Sequence, residues 1–284
     1  MTTTRALVLA GGGLAGIAWE LGVLQGITDV DPDLGARMLA ADVLIGTSAG
    51  SSVAAQIAGG TPLDDLYAAQ LTTASGEPAA EIDMMALFQR FTAATEGVTT
   101  TAEMRRRIAA VALDTETVEE SVRLEVIRSR IHDADWPDRD LRVIAVSAAT
   151  GERVVFDRAS GVPLVDAVAA SCAVPGVWPP VTIGDTRYVD GGVQSGSNAD
   201  VAAGCDVVLI LSPTVAGAPT LLGRSLEDEI VDLGAAAIHV VHADEASVAA
   251  SGTNPLSPAT REPSALAGRE VGRRVATQIA AIWG

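Results

Sequence analysis

The chain has 284 residues, and its 19 basic against 36 acidic side chains give a formal net charge of −17 at pH 7. All 19 of these basic residues are arginines, which excludes a P-loop lysine, a lysine Schiff base with pyridoxal phosphate and a lysine general base. The acidic balance argues against nucleic acid as a partner and against bulk association with anionic membranes, because both need a basic face.

Composition predicts a globular chain with a large core. Hydrophobic residues make up 48% and aromatic residues 3%; because α/β folds of this length often form one unit, we expect a single domain over residues 1–284. The two cysteines, Cys172 and Cys205, are too few for a disulfide framework. Three glycines interrupt the apolar stretch after Arg5 before it could act as a secretory signal. No run approaches the roughly 18 apolar residues of a transmembrane helix, so the sequence predicts a cytoplasmic protein.

The hydrophobic pattern predicts strands that alternate with helices. Strands are expected at residues 6–10, 42–45, 141–147, 153–156, 187–189, 206–211 and 238–242. Helices are expected directly after the first strand and at residues 49–59, 62–71, 84–94, 102–113, 118–131, 163–173, 226–233 and 265–283. This order predicts a three-layer α/β fold, with a helical insertion around residues 62–131 and a C-terminal helix around residues 265–283.

Several local features are predicted between or within these elements. Polar and turn-forming residues predict a loop over residues 72–81 and a connector over residues 249–263. Thr117 and Glu120 have the spacing of a capping box. The segment 84–91 is unusually apolar, and we expect its helix to face the core; alternatively, its methionines would form a lid or a wall for an acyl chain.

Residues 46–50 read Gly-Thr-Ser-Ala-Gly, the pattern G-x-S-x-G, between a predicted strand and a predicted helix. A nucleophile elbow needs this context, because small neighbours permit a cramped turn that lifts the serine hydroxyl above the sheet. The helix N-terminus that follows favours negative charge at the reacting centre. Taken alone, the pattern fits equally well an ordinary turn in which Ser48 is the helix N-cap.

Residues 11–16 read Gly-Gly-Gly-Leu-Ala-Gly after the first strand, and two functions fit them. As G-x-G-x-x-G they match a dinucleotide-binding turn, which requires an acidic residue about 20 positions later at the end of the second strand. The acids near that distance, Asp29, Asp31 and Asp33, lie in a turn-like sequence. As a nest of backbone amides, the same glycines would form an oxyanion hole. This interpretation is favoured, because the second strand ends instead in G-x-S-x-G.

Asp190 precedes Gly191 and Gly192 at the end of a short predicted strand. A single Asp-Gly pair most often marks a turn. In a chain that also has an amide nest and a nucleophile elbow, this carboxylate is a candidate base.

These three motifs, in this order, resemble those of the patatin-like phospholipase family. The sequence Ala-Ser-Cys-Ala-Val-Pro at residues 170–175 is similar as well, and the resemblance covers about residues 5–245. It implies a patatin-like α/β fold with a central, mostly parallel sheet. It also implies Ser48 as the nucleophile and Asp190 as its base in a two-membered dyad. The glycines that it assigns to the oxyanion hole are Gly11, Gly12 and Gly13, and those that shape the motifs are Gly16, Gly46, Gly50, Gly191 and Gly192.

One position departs from the family pattern. The family has a lysine or arginine within the glycine turn, where this chain has Ala15. A cation there would help to stabilise the oxyanion, so the alanine bears on rate and substrate preference.

An aspartate has an unperturbed pKa of about 3.9, too low for an effective base towards serine at neutral pH. We therefore expect the base to be buried, since burial raises the pKa of a carboxyl group. A Ser-Asp-His triad with His239 or His242 is the rival arrangement. These two histidines and His132 are interpreted as structural, and Cys172 as a packing residue.

Together the residues predict a serine acyl hydrolase that cleaves fatty acyl esters of phospholipids or related lipids, through a Ser-Asp dyad and an acyl-enzyme and without metal or cofactor. Its partners would be a lipid or acyl-ester substrate and, transiently, a membrane surface; the sequence does not define an oligomeric state. One alternative is a Rossmann-type dinucleotide-binding oxidoreductase. Another, suggested by Ala15, is a weakly active or non-catalytic lipid-binding relative.

Overall fold

The computed structural model describes residues 3–72, 82–132, 135–218, 223–234 and 237–283. Most of the loop predicted at residues 72–81 lies outside these ranges. One sheet contains the strands β1 Arg5–Leu9, β2 Val43–Thr47, β3 Asp140–Ser147, β4 Arg153–Phe156, β5 Val181–Ile183, β6 Thr186–Asp190, β7 Val207–Ser212 and β8 Ala237–His242. The helices are α1 Gly13–Val30, α2 Pro32–Leu39, α3 Ala49–Ala58, α4 Leu63–Gln70, α5 Met84–Thr95, α6 Thr101–Leu113, α7 Glu120–Arg130, α8 Leu164–Ser171, α9 Leu226–Leu233, α10 Glu245–Ser251 and α11 Arg261–Trp283.

The sheet is mostly parallel. Its strand order is β5-β6-β3-β2-β1-β7-β8, and β4 also pairs with β3. Strands β3, β2, β1, β7 and β8 run parallel to one another, whereas the pairs that involve β4, β5 and β6 are antiparallel. Helices pack on both faces of this sheet, so the predicted three-layer α/β fold is confirmed.

Side chains alternate between the two faces of the buried strands. Leu7 and Leu9 of β1 belong to the core shared with α1, α3, α8 and α11. Ala6 and Val8 belong to the core on the opposite face, which includes Leu233 of α9. These four side chains are fully buried, as expected for a parallel strand covered by helices on both sides.

The register of β3 brings the ends of two other strands to one place. Thr47, the last residue of β2, pairs with Ile144, and Asp190, the last residue of β6, pairs with Ala145 from the other side of β3. Ser48 therefore leaves β2 level with Asp190. Because neighbouring strands lie about 4.8 Å apart, the two side chains can meet across β3.

Three short elements, α2, β5 and α10, lie outside the predicted strands and helices. Pro32 is the first residue of α2, and the carboxylate of Asp31 accepts a hydrogen bond from Leu34 N–H at 2.9 Å. This arrangement starts a helix. Asp and Pro are equally common in turns, which is why composition alone suggests a turn here.

The predicted capping box is wrong. Helix α7 begins at Glu120, and its N-cap, Glu119, makes no side-chain capping bond. The hydroxyl of Thr117 donates instead to the Val118 carbonyl at 3.1 Å. The connector predicted at residues 249–263 is also shorter than expected, because α10 extends into it at one end and α11 begins at Arg261.

The apolar segment at residues 84–91 lies in α5. Leu87 and Phe91 are buried against α6 and the ends of β3 and β6, which agrees with the core-facing interpretation. Phe88 lines a cavity of about 260 Å³ that also borders Gly11 and Gly192. The helix therefore contributes one aromatic side chain to a space beside two predicted site residues.

Helices α1 and α11 make close backbone contact through glycines. A Cβ atom at Gly26 of α1 would lie 2.0 Å from the Arg269 carbonyl oxygen. A Cβ atom at Gly272 of α11 would lie 2.1 Å from the Val23 carbonyl oxygen. Only glycine fits at these positions without moving the helices apart.

We expect Gly26→Ala to lower the free energy of unfolding by about 1–3 kcal/mol, because the added methyl overpacks the contact between α1 and α11. Alanine is the better helix former by about 1 kcal/mol, so helix propensity acts in the opposite direction. Urea denaturation measures the difference, and Thr277→Ala on the exposed side of α11 is the control. An unchanged or higher free energy of unfolding for Gly26→Ala would contradict the close contact.

Candidate active site

Ser48 occupies a strained turn between β2 and α3. Its φ is 52° and its ψ is −117°, a conformation that few residues other than glycine adopt. Glycines on either side permit the turn, since a Cβ at Gly46 would lie 2.4 Å from the Ser51 Cα and one at Gly50 would lie 2.0 Å from the Leu9 carbonyl oxygen. Ser48 stands at the N-cap position, but its hydroxyl makes no capping bond. The geometry is that of an elbow rather than of an ordinary capped turn.

The Ser48 hydroxyl donates a hydrogen bond to a buried carboxylate. Its Oγ lies 2.7 Å from Oδ2 of Asp190. Oδ1 of Asp190 accepts a hydrogen bond from Gly192 N–H, also at 2.7 Å, and this bond holds the carboxylate with Oδ2 towards the serine. Ser48 is 8% exposed and Asp190 4%. The structure thus brings together the serine and the aspartate that the motifs suggest.

Burial raises the pKa of Asp190 to about 7. Loss of hydration is the dominant cause, because it disfavours the charged carboxylate. The hydrogen bonds from Gly192 and Ser48 and the positive charge of Arg123 act in the opposite direction and lower the pKa. The carboxylate can therefore exchange a proton close to neutral pH, which an ordinary aspartate does not do.

The glycine turn after β1 lies against the elbow. A Cβ at Gly11 would lie 3.4 Å from that of Ser48. The N–H of Gly11 donates to the Gly196 carbonyl at 2.8 Å, so this amide is not available to an oxyanion, in contrast to its predicted place in the hole. Within the described residues, the N–H groups of Gly12 and Gly13 have no hydrogen-bond acceptor. These two amides are the candidate donors.

The N-terminus of α1 is covered by a distant part of the chain. Ala15 N–H donates to the Pro255 carbonyl at 3.0 Å, and a Cβ at Gly13 would lie 2.8 Å from Cδ2 of Leu256. Dinucleotide-binding folds place a pyrophosphate at this helix N-terminus. Asp29, near the distance required for the ribose contact, lies in α1 rather than at the end of β2. The structure therefore offers neither an open helix N-terminus for a pyrophosphate nor an acidic residue at the end of β2, and both are required for dinucleotide binding.

The end of α8 supports the elbow. The Ser171 hydroxyl accepts a hydrogen bond from Ser48 N–H at 2.9 Å, and the Cys172 thiol donates to the Ser48 carbonyl at 3.1 Å. Burial raises the pKa of Cys172, so the group stays a thiol. The sequence predicts a packing role for this cysteine and does not single out Ser171, although residues 170–175 as a whole are similar to the family.

The loop at residues 191–199 contacts all three motifs. Nδ2 of Asn198 donates to Oγ1 of Thr47 at 3.1 Å and to the Gly191 carbonyl at 3.3 Å. One side chain thus joins the residue before the elbow serine to the residue after the aspartate. The Gly196 carbonyl of the same loop holds the glycine turn through the bond described above.

This loop is anchored by α9. The fully buried Glu229 accepts hydrogen bonds from the Ser197 hydroxyl at 2.6 Å and from Ala199 N–H at 2.9 Å. Asn198, between them, has a φ of 50°, a conformation that asparagine tolerates better than most residues. No local sequence pattern marks Asn198 or Glu229, because the partners of both residues lie far away in the chain.

Two arginines of α7 border the pocket at Ser48, together with Gly13 and Trp178. Arg123 is 4% exposed, and its guanidinium carbon lies 4.1 Å from the centroid of the Trp178 ring. Arg130 follows seven residues later and donates from Nη1 to the hydroxyl of Ser52 at 3.3 Å. Positive charge therefore reaches the site from α7, a helix that lies outside the three motifs.

The pocket at Ser48 is small and shares part of its wall with a larger cavity. It has a volume of about 20 Å³, enough for one water molecule. Leu14, Ile17 and Arg130 border both this pocket and a second cavity of about 560 Å³. The larger cavity therefore adjoins the pocket that contains the serine, although Ser48 itself does not line it.

The histidines make no contact with the Ser48–Asp190 pair among the described hydrogen bonds, in which the Asp190 carboxylate has Ser48 and Gly192 as its partners. His242 Nδ1 lies 3.1 Å from the Thr214 carbonyl oxygen. Burial lowers the pKa of His239. The described residues thus contain no hydrogen-bonded Ser-Asp-His triad.

Within the described ranges, no group of three or more His, Cys, Asp or Glu side chains is placed to hold a metal ion. Among the helices of the same ranges, none combines the length and the apolar character needed to cross a bilayer.

Comparison with known structures shows similarity to three solved structures. The type III effector ExoU shares 15% identity at a TM-score of 0.43 over 98% of this chain and 53% of its own. VipD from Legionella pneumophila shares 12% sequence identity at a TM-score of 0.46, and the match covers 98% of this chain and 67% of the VipD chain. ExoU from Pseudomonas aeruginosa, in a complex with SpcU, shares 17% sequence identity at a TM-score of 0.38. This match covers 98% of this chain and 52% of the matched chain. The chain thus spans about half the length of the ExoU chains.

Sequence comparison identifies the family. No protein with a curated description matches the chain. The model of the family described as patatin-like phospholipase matches residues 7–203, which is well over half of the chain and includes all three motifs. The chain belongs to the patatin-like phospholipase family, a family of lipid acyl hydrolases.

Proposed function

We propose that this protein is a serine acyl hydrolase that cleaves fatty acyl esters of phospholipids or related lipids. The observation that carries the proposal is the 2.7 Å hydrogen bond from Ser48 Oγ to the buried carboxylate of Asp190. Membership of the patatin-like phospholipase family supports a lipid as the substrate. We also infer that residues 1–284 form a single hydrolase domain, because one sheet and the contact between α1 and α11 join the two ends of the chain.

In the first half of the reaction, Ser48 Oγ attacks the acyl carbonyl carbon while Asp190 Oδ2 takes the hydroxyl proton. The carbonyl oxygen becomes an oxyanion and accepts hydrogen bonds from the amides of Gly12 and Gly13. The C–O bond to the lipid alcohol then breaks. Asp190 returns its proton to the leaving alcohol, and the acyl group stays on Ser48 as an ester.

In the second half, water replaces the alcohol. Asp190 accepts a proton from the water as its oxygen attacks the acyl carbon, and the same two amides hold the second oxyanion. Collapse of this intermediate breaks the bond to Ser48 Oγ, which recovers its proton from Asp190. A free fatty acid and the starting enzyme result.

A two-membered dyad works only if the carboxylate is a strong enough base. The pKa of Asp190, raised to about 7 by burial, lies near the pH at which a general base is most effective. The same hydrogen bonds that lower this pKa also hold the carboxylate in place. A histidine is therefore not needed as the proton acceptor.

We expect Ser48→Ala to abolish stoichiometric labelling by a fluorophosphonate probe and to lower ester hydrolysis by at least about 10³-fold, because the nucleophile is lost. Intact-mass spectrometry measures the labelling. Ser251→Ala, at the end of α10, is the matched control and should label fully. A wild-type protein that is not labelled would contradict the proposed hydrolase and favour the non-catalytic alternative; labelling that persists in Ser48→Ala would place the nucleophile elsewhere.

We expect kcat/KM to rise with pH through about 7 and to fall roughly tenfold per unit below it. The sign follows from the role of Asp190 as a base, which must be ionised to accept the serine proton. An ordinary histidine titrates close to this range, so the profile alone does not identify the base. The triple variant with His132, His239 and His242 changed to Gln should keep the same apparent pKa; a lost or shifted inflection would favour a triad.

We expect Asn198→Gly to lower kcat by about 10- to 100-fold with a smaller change in KM, because the link between the elbow and the aspartate is lost. Glycine keeps the backbone conformation available, so the change isolates the side-chain hydrogen bonds. Thr47→Val removes the partner of the same bond and should act in the same direction. The two effects should be less than additive when combined; full additivity, or wild-type kcat in Asn198→Gly, would contradict a positioning role.

A further inference from the structure

Two neighbouring carbonyl groups in the loop at residues 191–199 each hold a different motif. The Gly196 carbonyl accepts a hydrogen bond from Gly11 N–H of the glycine turn at 2.8 Å. The Ser197 carbonyl accepts one from the hydroxyl of Thr47, the residue before the elbow serine, at 3.2 Å. The loop therefore contacts the oxyanion turn and the nucleophile elbow through adjacent residues.

The next residue of the loop reaches the third motif. Nδ2 of Asn198 donates to the Gly191 carbonyl at 3.3 Å and to the Ser195 carbonyl at 2.8 Å. Gly191 directly follows the aspartate that is the proposed base. Three consecutive residues thus contact the oxyanion turn, the elbow and the base, so a shift of this loop displaces all three relative to one another.

One segment of the chain holds the loop at both ends. At the start of the loop, Arg224 N–H donates to the Gln194 carbonyl at 2.8 Å. At its end, Oε2 of Glu229 accepts hydrogen bonds from the Ser197 hydroxyl at 2.6 Å and from Ala199 N–H at 2.9 Å. Arg224 lies just before α9 and Glu229 lies within it. The start of α9 therefore determines where the loop lies.

Glu229 is an unusual residue for a position that only packs. Its side chain is fully buried, and burial raises the pKa of its carboxyl group. Both bonds to the loop are made by Oε2, whereas Oε1 has no hydrogen-bond partner in the part of the chain that the structure describes. A buried polar atom without a partner lowers stability. Local arrangements that lower stability are expected where a residue serves the function.

We propose that Glu229 is a positioning residue, which fixes the loop at residues 191–199 and thereby aligns the nucleophile, the base and the oxyanion amides. The inference rests on the proposed acyl hydrolase function and adds to it a residue outside the three motifs. Misplacing a reacting group by about 1 Å can lower a rate about 100-fold, so loss of the anchor should act on kcat. The role needs an acceptor oxygen at this point and no negative charge.

The test measures kcat and KM on a soluble p-nitrophenyl ester, with active sites counted by fluorophosphonate labelling. We expect Glu229→Leu to lower kcat by about 10- to 100-fold and to change KM by less than about threefold, because the loop loses its anchor. Glu229→Gln keeps an acceptor oxygen and the shape of the side chain. Its kcat should stay within about threefold of the wild-type value.

Two controls separate positioning from a general loss of stability. Gly26→Ala, at the contact between α1 and α11, should lower the free energy of unfolding without changing kcat per active site. Asp228→Leu changes an exposed residue of the same helix as Glu229 and should keep the wild-type kcat and KM. A loss of kcat in Gly26→Ala as large as that in Glu229→Leu would overturn the positioning role.

The pH profile is a measurement that a purely structural role would not change. A loosened loop admits water to Asp190 and lowers the pKa that burial has raised to about 7. The inflection of kcat/KM should therefore move to lower pH in Glu229→Leu and stay in place in Glu229→Gln. The nearby charges of Asp200 and Arg224 are the same in both variants, and both lack the carboxyl group. Equal shifts in the two variants would assign the effect to charge and overturn the proposal.

Ser197→Ala keeps the test valid if Glu229→Leu does not fold. It removes one of the two anchoring bonds, so kcat should fall by about three- to tenfold. A wild-type kcat in Ser197→Ala would overturn the positioning role, as would a loss of kcat in Glu229→Gln as large as that expected for Glu229→Leu. A wild-type protein that neither hydrolyses the ester nor takes the fluorophosphonate label would instead refute the proposed function itself.

Discussion

The position of one strand makes the rest of the site possible. Strand β3 pairs with β2 on one side and β6 on the other, so that Ala145 stands between the strand ends that carry Ser48 and Asp190. A shift of one residue in either pairing would turn a side chain to the other face of the sheet. The short hydrogen bond between the serine and the aspartate is thus a consequence of sheet register. The loop with Asn198 then holds the two ends together where the ladder hydrogen bonds stop.

Burial makes Asp190 a stronger base, because it raises the free energy of the charged carboxylate relative to the neutral acid. Its carboxylate is compensated by the amide of Gly192, the hydroxyl of Ser48 and the charge of Arg123, but burial remains the larger effect. A carboxyl group with more hydrogen bonds would be easier to keep ionised and less able to accept a proton. The site lies between these limits, and Arg123 of α7 contributes to that balance.

The sequence predicts those parts of the site that short motifs specify. Gly46 and Gly50 predict a cramped turn at Ser48, and the alternation of buried strands and helices predicts the layers of the fold. The sequence does not predict which backbone amides are available to an oxyanion. The Gly11 N–H is occupied by the Gly196 carbonyl, and no local pattern connects these two residues. Likewise, nothing in the sequence distinguishes Arg123 from the other arginines, because its contact with Trp178 depends on the fold. Contacts between distant residues therefore set the limit of what the sequence predicts.

The contact of Pro255 and Leu256 with the glycine turn has a consequence for the order in which the enzyme is assembled. Ser48 and Asp190 lie in the part of the chain that is synthesised first, whereas the residues that cover the start of α1 come after them. The contact of Pro255 and Leu256 with the glycine turn can form only after these two residues have been synthesised. The wall of the pocket is thus completed after its reactive groups, so a partly synthesised chain carries the serine and the aspartate without the enclosure around them. A lipid hydrolase built in this way reaches its finished pocket only when the last elements of the fold have joined the first.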